Sequence, residues 1–198
     1  MFVANPDAAG ASDRLVYAQP DDFSYTVGKS WRTVLRDYNE HPGKNRHGLL
    51  PAWQLHTNPI YGRLAEHFGP DLLYILSAGW GLVSASFLIP YYDITFSNSE
   101  KNKKKKLLIR RHQRDCYQDF RMLPSDVAGP IVFLGGKDYH RLFLDLTADF
   151  QGERIVFYAG KKPAGSGYNL CNYGEAFTNW HYPCAKALMD GRTRLGIV

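Results

Sequence analysis

Short apolar runs and stretches of helical periodicity alternate along the chain. Leu72-Leu-Tyr-Ile-Leu-Ser77, Pro130-Ile-Val-Phe-Leu134 and Arg154-Ile-Val-Phe-Tyr158 are brief runs bounded by Gly, Ser or Pro, the pattern of buried strands. Arg14-Leu-Val-Tyr-Ala18 reads as a further short strand. Ser30 is placed to cap a helix from Trp31 to Tyr38, which His41-Pro42-Gly43 ends. Asn58-Pro59 opens a second helix running to Phe68, closed by Gly69-Pro70. From Leu107 to Leu123, Ile109, His112, Cys116, Phe120 and Leu123 recur at three- and four-residue steps, so this segment is expected to be helical. Further helices are expected over 138–146 and 183–189, with a loop from Ala159 to Gly167. Strands alternating with helices predict an α/β fold: a single domain over 1–198 with a mostly parallel central sheet and helices on both faces.

Composition narrows the class. The chain has 198 residues, 44% hydrophobic and 22% charged, which suits one globular core. No apolar run approaches the ~20 residues of a membrane helix, so no membrane partner is expected. Met1-Phe-Val-Ala-Asn-Pro-Asp7 lacks a basic and an apolar segment, which does not read as a secretory signal and fits a cytoplasmic protein. Three scattered cysteines suit neither a disulfide framework nor a CxxC site, and no metal or cofactor is expected. Oligomeric state is not legible.

Charge adds a partner. The net charge is +5, and residues 101–106 read Lys-Asn-Lys-Lys-Lys-Lys. On the helix expected after them, Lys103, Lys106, Arg110, Arg114 and Arg121 fall on a face apart from the apolar stripe. Such a face tracks phosphates, because each cation that displaces a condensed counterion adds sequence-independent affinity. A solvated helix behind a lysine loop has the same sequence.

Several turns could carry chemistry, and each has a plainer reading. Ser77-Ala-Gly-Trp-Gly81 resembles a turn at the carboxyl end of a strand, where open α/β sheets bind ligands. Pro90-Tyr91-Tyr92-Asp93 adds two aromatics and a carboxylate; the two segments form either one pocket or a tight turn and an edge strand. Gly135-Gly136-Lys137 lies between a strand and a helix start, a place for an anion or simply for close packing. Gly160 to Gly167, with Lys161 and Lys162, fits a phosphate cradle or an ordinary loop. Phe177-Thr-Asn179-Trp180-His181-Tyr182-Pro183 can stack a base and hydrogen-bond its edge, or cap a helix and fill the core. GxSxG and HExxH are absent.

Taken in order, Pro51-Ala-Trp-Gln-Leu-His-Thr-Asn-Pro59, Ile75-Leu-Ser-Ala-Gly-Trp-Gly-Leu82 and Ile89-Pro-Tyr-Tyr-Asp93 resemble the YaaA-like proteins and their short bacterial relatives. Leu134-Gly-Gly-Lys-Asp-Tyr139 and Val156-Phe-Tyr-Ala-Gly-Lys-Lys162 extend the likeness, which spans roughly 51–190. The first 50 residues depart from it: Tyr17-Ala-Gln-Pro20 stands where the relatives carry a lysine-rich motif, and a helical insertion follows. More distantly, the turn and Tyr-Asp segment are similar to sheet-end motifs of uracil-DNA-glycosylase-like domains. These resemblances imply DNA rather than RNA as partner, and a pocket at the strand ends.

The resulting expectation is a DNA-binding protein with a glycosylase-like pocket that releases a modified or damaged base, in repair or anti-phage defence. Asp93, His181 and Asn179 would act in catalysis, and Ser77, Trp80, Tyr92, Tyr139 and Trp180 would form the base pocket. Gly135, Gly136, Lys161 and Lys162 would hold phosphate, and Lys103, Lys106, Arg110 and Arg114 would contact the backbone. A non-catalytic YaaA-like DNA-binding or oxidative-stress protein and an enzyme on free nucleotides are the alternatives.

Overall fold

A computed structural model describes residues 23–24, 28–56, 58–92 and 120–193. The chain divides into two compact units, one ending at Phe120 and the other starting at Arg121.

The first unit begins with an antiparallel pair, β1 (Phe23–Ser24) and β2 (Lys29–Ser30), leading straight into α1 (Trp31–Glu40). Ser30 caps α1 as expected, its hydroxyl accepting the Thr33 N–H at 3.4 Å. Two asparagines then replace main-chain pairing. The Asn39 amide donates to the Leu88 carbonyl (3.0 Å) and accepts the Leu88 N–H (2.7 Å), tying α1 to β6 (Leu88–Ile89). Asn45, at φ 48°, exchanges two hydrogen bonds with the Leu49 backbone at 2.7 and 3.0 Å and accepts the Tyr38 hydroxyl proton. This fixes the entry to β3 (Leu50–Pro51), which pairs antiparallel with β6. Helix α2 (Ile60–Phe68) follows, ended by Gly69 at φ 84°.

The turn at Ser77–Gly81 differs from the strand-to-helix turn the sequence suggests. β4 (Tyr74–Ser77) and β5 (Gly81–Ser84) pair antiparallel in register Ser77↔Gly81, so Ala78-Gly79-Trp80 is a three-residue hairpin loop. Gly81, at φ 89°, takes the left-handed conformation that reverses the chain. A three-residue connection can join only antiparallel neighbours, because a parallel pair needs a long crossover. Phe120, in β7 (Phe120–Arg121), donates its N–H to the Trp80 carbonyl at 2.9 Å, making β7 the third strand of this sheet. The helix expected over 107–123 therefore does not extend to its expected end; its body, with the first strand expected at 14–18, lies outside the described residues.

The second unit holds the parallel sheet. β8 (Ile131–Phe133), β9 (Arg154–Ala159) and β10 (Asn169–Gly174) run parallel in the order β10-β9-β8. The β8–β9 crossover carries a 3₁₀ turn (Lys137–Tyr139) and α3 (His140–Leu146). The β9–β10 crossover, residues 160–168, has no helix at all. Arg154 fastens its far end, donating from Nε to the Gly167 carbonyl (3.0 Å) and from Nη1 to the Thr147 carbonyl beyond α3 (3.1 Å). Helix α4 (His181–Met189) packs Cys184 against Ile155, Phe157 and Cys171 to form the core.

An α/β composition is thus observed, but the described strands form four small sheets, two of them two-stranded, and only one is parallel throughout. The hairpin at 77–81 is the physical reason that one continuous parallel sheet does not form through these strands.

Candidate functional site: a cleft at the parallel strand ends

Three of the expected pocket residues come together in the first unit, inside its core. Ser77, Trp80 and Tyr92 each have 0% exposure. The Ser77 hydroxyl donates to Tyr92 Oη (2.8 Å) while accepting the N–H groups of Gly79 (3.1 Å) and Trp80 (2.9 Å). It is spent on holding the hairpin. The Trp80 ring meets Tyr92 edge-on at 6.4 Å and lies 6.5 Å from Phe120. Packed this way, the two rings are part of the core. Asp93, Lys103, Lys106, Arg110 and Arg114 lie outside the described residues.

The open site lies in the second unit. At the carboxyl ends of β8 and β9 and just beyond β10, a cleft of about 180 Å³ opens between Phe133, Gly135, Phe157, Ala159, Ala176 and Trp180. Lys137, His140, Lys161 and Pro163 complete its lining. This is where parallel α/β sheets leave room for ligands, because the loops after successive strands diverge there. Both lysines are exposed, whereas His140 and Trp180 are half-buried. Cations therefore stand at the rim and rings line the interior.

Two glycines set the wall geometry. A Cβ on Gly135 would sit 2.6 Å from Cζ of Phe133, itself a wall of the cleft. Gly160, at φ 74°, brings its Cα so close to Ala176 that a Cβ would meet the Ala176 methyl at 2.7 Å. His140 was not singled out by sequence. Its ring meets Tyr168 edge-on at 4.9 Å, and its Nε2 is buried with no hydrogen-bond partner among the described residues. Burial pushes its pKa below the ordinary histidine value, which favours the neutral imidazole.

The remaining candidates separate by role. Gly135, Lys161 and Trp180 line the cleft; Gly136 and Lys162 are the neighbours in chain of lining residues. Tyr139 is buried at 4% exposure. His181, at 8% exposure, opens α4, and burial lowers its pKa to about 3. An imidazole so lowered is largely neutral at pH 7, with one ring nitrogen a donor and the other an acceptor. Asn179 is exposed, stands at φ 62°, and its carbonyl accepts the Tyr182 N–H at 3.0 Å, which makes it the turn residue before α4. Its backbone predicts that Asn179→Gly is tolerated, while Asn179→Ala costs roughly 1 kcal/mol from the strained left-handed conformation. Chemical denaturation of the two variants checks this. Equal stability of both would remove the turn role.

Lys137, in the Gly-Gly-Lys motif, is a lining residue that the sequence alone does not assign. The signal was there, since a cation directly after a strand-end glycine pair must fall near the sheet end. Among the described residues no cluster of three or more His, Cys, Asp or Glu side chains is placed to hold a metal. No described helix is long and apolar enough to cross a membrane. No family model matches the chain, and no curated protein or solved structure matches it significantly.

Proposed function

We propose that the protein binds nucleic acid, and that the strand-end cleft of the second unit is where the strand is held. The observation that carries this reading is the joint lining by Lys137, Lys161 and Trp180. Two ammonium groups from successive strand ends offer paired phosphate contacts, and the indole that lines the same cleft offers a ring face for stacking. The net charge of +5 and the lysine run at 101–106 support the same partner by raising local attraction for a polyanion. DNA, rather than RNA, is the partner that the YaaA-like resemblance favours.

Base release is the catalytic extension of this proposal. The cleft's lining supplies amines, an imidazole and an indole, a set suited to binding. A glycosylase also needs a carboxylate to orient water or stabilise the sugar cation. Asp93, expected in that role from the sequence, belongs to the first unit and lies outside the described residues, so the hydrolase reading rests on the resemblance and not on this cleft.

The experiment is incubation with duplex and single-stranded DNAs carrying normal, damaged and modified bases, with binding read by anisotropy and released base by mass spectrometry. Binding with release of one base supports the full proposal. Binding without release retains the nucleic-acid reading and removes the hydrolase. Absence of binding to every DNA defeats both.

A further inference from the structure

The size of the cleft and one exposed ring beside it narrow the ligand. We infer, resting on the nucleic-acid reading above, that the cleft takes a single-stranded segment: one base enters beside Trp180 and a neighbouring base stacks on Phe177. At about 180 Å³ the cleft is well below the roughly 300–1,000 Å³ that encloses a drug-sized ligand. It has room for one planar ring system, not for a nucleotide with its sugar and phosphate, so the charged backbone stays outside. That is where Lys137 and Lys161 stand.

Phe177 is 54% exposed, one of three exposed large apolar side chains among the described residues. Single exposed apolar residues are commonplace and need no function. This one differs in its setting. It directly follows Ala176, a wall of the cleft, and its carbonyl accepts the Trp180 N–H at 3.3 Å, so both rings ride on one turn. The same turn is closed by Asn179 at φ 62° and by the Tyr182 N–H bonded to its carbonyl. A ring on a fixed turn that follows a wall of a cleft lined by two exposed cations is the combination that single-strand binders use, with stacking for the bases and ammonium groups for the backbone. A paired duplex hides its base faces in its own stack and offers only the phosphate contact.

The test measures anisotropy of labelled oligo-dT, oligo-rU and a mixed-sequence duplex with the full-length protein, its Phe177→Ala variant and its Phe177→Tyr variant. The inference predicts that single strands are preferred over duplex. It further predicts that Phe177→Ala weakens single-strand binding roughly ten-fold while Phe177→Tyr, which keeps a ring face, stays within about two-fold. Because the side chain is exposed, circular dichroism of both variants should match the parent. Duplex bound as tightly as single strand, or unchanged affinity in Phe177→Ala, would overturn the inference while leaving nucleic-acid binding intact. No binding to any of the three probes would overturn it together with the reading beneath it.

Discussion

Lowering the pH from 7 to 5 should remove about 2 kcal/mol of stability from each of the two units. The main cause is a nearly fully buried imidazole in each, with His140 adding in the same direction in the second unit. His56, stacked on Tyr61 at 4.5 Å, and His181 are 8% exposed, and burial lowers both from 6.5 to about 3. Above pH 6.5 neither the folded nor the unfolded chain protonates them, so stability does not change with pH there. Below it the unfolded chain takes up the proton and the folded chain does not. Stability then falls as pH falls, by roughly 1.4 kcal/mol per pH unit for each histidine, until the folded pKa is reached. Across the 1.5 units from 6.5 to 5 that amounts to about 2 kcal/mol per histidine, against a total of about 5–15 kcal/mol for a typical domain. Urea unfolding at pH 7 and pH 5 measures it. His56→Phe keeps the stacking ring without the titrating group, so it should abolish the acid loss in the first unit and leave that of the second. If His56→Phe retained the full pH dependence, the buried-histidine account would be wrong.

Replacing Gly79 by alanine should cost roughly 1–3 kcal/mol. An added Cβ would lie 2.8 Å from Cδ2 and 3.1 Å from Cε2 of Tyr92. Tyr92 has nowhere to go: it is fully buried and its hydroxyl is bonded to Ser77, which also holds the hairpin. Gly62, inside α2, is the contrasting case. A Cβ there meets only Trp53, at 3.5 Å, an ordinary contact. Gly62→Ala should therefore be neutral or stabilise by up to about 1 kcal/mol through helix propensity. The denaturation midpoint of Gly79→Ala should fall, while that of Gly62→Ala should hold or rise. A Gly79→Ala protein as stable as the parent would show that the hairpin and Tyr92 are not packed as described.

Much of the fold was legible where local and tertiary preferences agree. The runs at 131–133 and 154–159 are apolar on both faces, as strands of a covered parallel sheet are, and both form. Ser30 and Pro59 marked helix starts to within a residue. Strand β10 escaped notice because Asn169-Leu-Cys-Asn-Tyr-Gly174 lies at the sheet edge and fully buries only Cys171, so neither alternation nor an apolar run announces it. The hairpin was misread because a small-residue Ser-Ala-Gly-Trp-Gly turn suits either a β–α connection or a tight reversal. Pairing with Gly81–Ser84, a non-periodic stretch, decides between them.

The site was legible in the same uneven way. Gly135, Lys161 and Trp180 were found because each follows a strand or precedes a helix, and strand ends converge in parallel sheets. The Ser77–Trp80–Tyr92 grouping was correct as a neighbourhood, yet hydrogen bonds within it and full burial turn the three residues into core. His140 gave no signal, since a histidine opening a helix is unremarkable until Tyr168 and the cleft are placed beside it.

The central claim is that the strand-end cleft holds a polyanionic strand through Lys137 and Lys161. The most direct measurement is the salt dependence of oligonucleotide binding for the parent and for the Lys137→Ser/Lys161→Ser double variant. A double variant at Lys29 and Lys44, exposed cations of the other unit, serves as the charge-matched control. The account predicts that losing the two rim cations weakens binding and flattens the log–log salt slope by roughly 1.4, about 0.7 for each single-strand phosphate contact. The Lys29/Lys44 control should keep the parent's slope. Equal slopes in parent and cleft variant, or the same loss in the control, would contradict the claim.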